Sequence, residues 1–194
     1  MDKEKNDWAK CMIVSYRYLE RMCKAIDKQI EQVACYSFFQ TSNFDQINSV
    51  HNVSKKIIAL SQRKIDYINI KVLVEKVLES MDKKLSKILI LKYIHNLKNS
   101  QLISLLKINE RTMFRKINTA FDVFAKKMQE FGFSKEKLEL VYFSDEFIGS
   151  VYKKIKSQTR VSEKTNDLIN IKSVVLSNIS SFDTFLTSKN TKMA

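Results

Sequence analysis

Apolar residues recur along this chain at intervals of three, four and seven, and almost never in strict alternation, so helices are expected throughout. Met12, Leu19, Ile26 and Val33 repeat every seven residues, with Tyr16, Cys23 and Ile30 four places after the first three and Met22 widening the seam. They predict one long helix over Asp7–Phe39, capped by Asp7, whose stripe is either a coiled-coil-like interface or, in preference, a core face packed within the molecule. Thr41–Asn52 shifts to Ser, Asn and Asp, which predicts a loop or short turn, with His51 a solvated loop residue. A second long helix is expected over Val53–Ser80. It carries two rows, Ile58, Ile65 and Val72, and Leu60, Tyr67 and Val74, as a central helix needs to meet two neighbours.

Three shorter amphipathic runs follow. The first holds Leu85, Ile88, Leu89 and Leu91, the second Leu102, Ile103, Leu105 and Leu106, the third Met113, Ile117, Ala120, Phe121 and Phe124. Asp82 is placed to cap the first. Lys107-Ile108-Asn109 separates the last two, with Ile108 filling the corner and Asn109 capping the third helix. Beyond Met128, Gly132 is a helix stop and Ser134 a new cap. Leu138, Val141, Ile148, Val151, Tyr152 and Ile155 predict a helix pair interrupted at Ser144-Asp145, and Ser157–Thr165 reads as a polar link. Leu168, Ile171, Val175, Ile179, Phe182 and Leu186 predict a last amphipathic helix, whose stripe must dock on the body or on a partner. Ser188–Ala194 is a frayed tail. The expected fold is all-α in three regions: long helices over 1–81, a three-helix unit over 82–131, and a helical extension over 132–194.

Two short helices joined by a three-residue turn, with a supporting helix before them, form a helix-turn-helix. The third helix sets Arg111, Phe114, Arg115 and Asn118 on the side away from its apolar stripe. Arginine matches guanine in the major groove and asparagine matches adenine, so this face suits base reading. Glu110 is a secondary reader. Phe114 either meets a thymine methyl or packs on Tyr93. Lys98, Ser100 and Gln101 open the second helix, where backbone N–H groups favour a phosphate; with Lys107, Thr112 and Lys116 they form the expected phosphate-binding set.

The same segment resembles region four of bacterial sigma factors and the helix-turn-helix of related phage-type transcriptional regulators. The resemblance rests on Lys92-Tyr93, Leu97, Leu102, Leu105-Leu106, Ile108-Asn109, Thr112-Met113, Arg115 and Ala120-Phe121. It implies a sequence-specific transcriptional regulator of double-stranded DNA, with RNA polymerase as a further partner to consider. Two positions depart from the pattern. Lys107 stands where the turn glycine is usual and must bear a positive φ, at about 1 kcal/mol. Ile103 stands where a small residue is usual, and sets the helices slightly further apart.

Charge sharpens this picture. The chain has 34 Lys and Arg against 21 acids, a net charge of +13, no proline and two glycines. Lysine-rich, proline-poor usage also follows from an AT-rich genome, so the distribution matters more than the total. From Asp82 to Met128 there are eleven Lys or Arg and three acids, a net +8 in less than a quarter of the length. Localised positive charge points to a polyanionic partner.

Enzyme signatures are missing. Two glycines cannot build a phosphate loop, neither His51 nor His95 has a ligand-spaced neighbour, and no CxxC occurs, so no catalysis, metal or other cofactor is expected. His95 ends the first short run, where terminal carbonyls are its natural partners. Cys11, Cys23 and Cys35 are spaced to lie about 18 Å apart along a helix and read as small buried hydrophobes in a reducing cytoplasm. MDKEKNDW resembles neither a signal peptide nor a membrane span. Trp8, Tyr16, Arg17 and Tyr18 suit helix packing better than base stacking. A divergent complete sigma factor and a helical interaction module without DNA binding are the alternatives, and a homodimer through the terminal helices is a third kind of partnership.

Overall fold

A computed structural model describes residues 6–39 and 46–161. Among these residues all regular structure is helical: α1 (Asp7–Phe39), α2 (Gln46–Ser80), α3 (Lys83–Leu89) running into a π turn (Ile90–Ile94), α4 (Asn99–Leu106), α5 (Glu110–Glu130), α6 (Lys135–Val141) and α7 (Glu146–Val161). The all-α expectation holds. No helix among the described residues is long and apolar enough to cross a membrane.

The described chain divides into two compact units. One contains α1 as far as Arg17 and everything from Ile70 onward, so the region expected over 82–131 shares its unit with the start of α1, the end of α2, α6 and α7. Its buried residues include Trp8, Met12, Ile13, Val74, Val77, Leu89, Leu102, Phe124 and Phe147. Polar contacts tie distant stretches together. The Tyr16 hydroxyl donates to Glu75 Oε1 at 2.7 Å, and the Cys11 thiol donates to the Ile148 carbonyl at 3.7 Å. Burial pushes that thiol up to about 12, which removes it from thiolate chemistry.

The other unit contains Tyr18–Asn69. Leu19, Met22, Ile26 and Tyr67 are buried there, and Lys64 Nζ lies 2.5 Å from Asp27 Oδ1. Arg63 Nε donates to the Tyr67 hydroxyl at 3.0 Å, four residues on along α2.

Several boundaries follow the local signals. Asp82 Oδ1 accepts from the N–H groups of Lys84 and Leu85, and Ser134 Oγ accepts from Lys137. Gly132 adopts φ +79°, and the Phe133 N–H donates back to Met128 O at 3.0 Å; that six-to-one bond closes α5 and needs the left-handed residue that glycine supplies. At Gly149 the reason for glycine is space, since a Cβ there would lie 2.6 Å from the Phe143 carbonyl oxygen. Asp145 Oδ1 accepts from the Ile148 N–H and caps α7, and Phe143 stacks on Tyr152 with centroids 4.1 Å apart.

Other expectations are corrected. α2 begins at Gln46, so His51 is an exposed helical residue rather than part of a loop; a continuous helix overrides the weak loop preference of Ser and Asn. α7 continues through Ser157 to Val161, where a link was expected. Val141 is half exposed at the end of α6. Of the cysteines only Cys11 is buried; Cys23 is half-buried and Cys35 exposed, because the apolar seam loses its cover toward the end of α1. In the outer row of α2, Ile58, Ile65 and Val72 are 67, 49 and 40 % exposed, while Tyr67 and Val74 of the inner row are buried. The expected loop over 41–45, the amphipathic stretch 168–186 and the tail lie outside the described residues.

Candidate nucleic-acid interface

α3 and α4 both pack on α5, and α4 also meets the π turn. α5 anchors this arrangement because its apolar residues fall on one face: Met113, Ile117, Ala120, Phe121, Phe124, Ala125 and Met128 are all buried. Tyr93 meets Phe121 edge to face, with centroids 5.1 Å apart and an interplanar angle of 67°, so Phe121 rather than Phe114 is its aromatic partner.

The turn before α5 has the geometry its residues predict. Lys107 adopts φ 50°, ψ 45°, and its N–H donates to Ile103 O. Ile108, half-buried at the corner, donates to the same carbonyl at 3.4 Å. Left-handed backbone at a lysine costs about 1 kcal/mol relative to glycine, which the paired bonds and the covered isoleucine offset. Asn109 then turns extended, and its Oδ1 accepts from the Thr112 N–H at 2.8 Å. α4 and α5 are thus joined by a residue that stops one helix and a residue that starts the next.

The outward face of α5 is polar. Arg111, Arg115 and Asn118 are exposed and fall within about 60° of helical arc at 3.6 residues per turn. Glu110 is exposed as the first residue of the helix, while Phe114 is half-buried at the border between the polar face and the core. Thr112 and Lys116, both half-buried, lie on the opposite border, so the α5 members of the expected site surround one ridge. The Thr119 hydroxyl donates to the Arg115 backbone carbonyl at 3.0 Å.

At the start of α4, Lys98, Ser100 and Gln101 are all exposed. Gln101 Oε1 accepts from the Lys98 N–H at 2.9 Å, so this side chain already caps the helix and only its amide NH2 is left to donate outward. Lys107 is exposed at the far end of α4. His95 is exposed too, and its backbone N–H donates to Ile90 O at 2.9 Å.

Three features here lack a sequence signal. The π turn inserts one residue into the helical register and carries Lys92 inward, to 7 % exposure, where Nζ donates to Asn99 Oδ1. Burial, with repulsion from Lys10, holds the Lys92 ammonium below its ordinary range. A second left-handed residue, Asn96 at φ 58°, follows the π turn, and Leu97 donates back to Leu91 O at 3.0 Å. Finally, Asp122 is exposed one turn beyond Asn118, and its Oδ1 accepts from Asn6 Nδ2 at 2.5 Å. An acid there interrupts the row of Arg111, Arg115 and Asn118, and exposed Lys126 follows one turn later. No protein-family model, curated protein or solved structure matches this chain.

Proposed function

We propose that this protein is a sequence-specific DNA-binding transcriptional regulator, with α4 and α5 as its helix-turn-helix. The observation that carries the reading is the division of α5 into a buried apolar face and an exposed face bearing Arg111, Arg115 and Asn118. A helix of this kind, held at its start by a capped turn, fits a major groove and offers the side chains that read guanine and adenine. Lys98, Ser100, Gln101 and Lys107 flank it as phosphate contacts that set orientation without reading sequence, with Thr112 and Lys116 on the border of the ridge itself. Trp8 is only 2 % exposed, so it supports packing rather than base stacking, and a promoter-opening role for the first helix gains nothing from it.

The test is capture of bound genomic fragments, followed by gel shifts on any recurrent site. Arg115→Ala is expected to cost about 1–3 kcal/mol on that site and to relax preference at one position. Lys98→Ala is expected to weaken all sequences alike and to lower the salt slope by about 1. Binding that stays negligible at low salt sinks the proposal and leaves a helical interaction module. Unchanged selectivity in Arg115→Ala removes that residue from the reading role.

A further inference from the structure

Lys92 is only 7 % exposed, and stability does not explain an ammonium in that place. Its Nζ donates to a neutral amide oxygen, Asn99 Oδ1, while the Lys10 ammonium repels it. It also lies beside the first turn of α4, where the helix dipole already presents positive charge. Burial, repulsion and the dipole all count against a cation here, and a methionine fills a similar volume without those costs. What methionine lacks is a directional bond.

The place of that bond gives the reason for it. The His95 N–H reaches back five residues to Ile90 O, and the π turn so formed carries Lys92 inward to meet α4. Such insertions are rare and gather at functional sites. Where α4 begins, Lys98, Ser100 and Gln101 are exposed and Asn99 is half-buried. Asn99 thus stands between two of the side chains proposed as phosphate contacts. Gln101 ties the turn only to itself, through the Lys98 N–H, whereas the Lys92 bond ties it to a separate element. An apolar contact tolerates sliding, and a hydrogen bond fixes register. We propose that Lys92 is a positioning residue: from inside, its bond to Asn99 sets where α4 holds Lys98 and Ser100 against the phosphates of a duplex. This inference rests on the DNA-binding reading.

Lys92→Met in the full chain tests it. The chemical-denaturation midpoint is expected to hold or rise. Hydrogen exchange of amides 98–102 is expected to speed about tenfold, with amides 117–125 of α5 unchanged. Binding to a mixed-sequence duplex is expected to weaken several-fold, with preference among sequences kept. Lys98→Ala is expected to cost less affinity in that background than in the unaltered chain. Asn99→Ala removes the acceptor at a half-buried position and is expected to give the same exchange pattern. A midpoint that falls together with faster exchange along α5 makes Lys92 a packing residue and overturns the inference. So does unchanged exchange at 98–102, or duplex affinity that stays intact while that exchange rises. Unaltered protein that binds no duplex overturns the functional reading and this inference with it, a result distinct from the others because it precedes any substitution.

Discussion

In α5 the apolar residues gather on one face and disappear into the core, whereas in α2 they form two rows, one buried and the other open to solvent. Both helices are rich in lysine and in large aliphatic or aromatic residues, so composition does not separate them. What separates them is the chemistry of the face left over. On α5 that face bears guanidinium and amide groups, which are well hydrated and carry donors that suit the acceptors of a polyanion. On α2 it bears isoleucine and valine, which gain only by meeting another apolar surface. One helix leaves a polar face to solvent, the other an apolar one.

The largest effect that sharpens this contrast is on stability. Phe124→Ala, at a fully buried position of α5, is expected to cost about 3–5 kcal/mol by chemical denaturation, because a cavity adds to the lost transfer energy. A cost under about 1 kcal/mol would show that α5 is not the core helix described. Next comes its opposite face. Arg111→Ala is expected to leave the denaturation midpoint in place yet to lose about 1–3 kcal/mol of binding to a selected DNA site. If the midpoint falls and binding does not, the arginine belongs to the fold rather than to recognition.

Two smaller effects concern how the outward face is bounded. Lys107→Gly relieves left-handed backbone at the α4–α5 turn and is expected to stabilise the protein by up to about 1 kcal/mol, with unchanged preference among DNA sites. Destabilisation would mean that the lysine side chain contributes more than its strained backbone costs. Asp122→Asn removes the acid that interrupts the ridge. It is expected to tighten binding to all sequences by less than about 1 kcal/mol at low salt, with the gain fading as salt is raised. An effect on one sequence alone would instead make Asp122 a reader.

Much of this architecture can be read directly from local chemistry. Asp82, Asn109 and Ser134 are short polar residues placed just before apolar runs, and each caps the helix it announces. Gly132 and Lys107 both take the left-handed conformation, the one because glycine is free to do so and the other because a three-residue turn leaves no alternative. The ridge on α5 follows from periodicity once the buried face is known. What periodicity misses has a tertiary cause. Whether Ile90–Ile94 closes four- or five-residue hydrogen-bonded turns is decided by what lies beside it, and so is the burial of Lys92 against Asn99. The exposed thiol of Cys35 and the early start of α2 are missed for a related reason, since spacing marks a helical face without saying how far its neighbour extends. Asn6 and Asp122 are separated by 116 positions, and no local pattern pairs them.

That last contact has a practical corollary for anyone handling the protein. Because Asn6 is fastened to Asp122, a bulky side chain introduced at position 6 lies beside the outer surface of α5. On the proposed reading, bulk there competes for the volume that a duplex needs. Tests of DNA affinity are therefore best made with Asn6 unaltered.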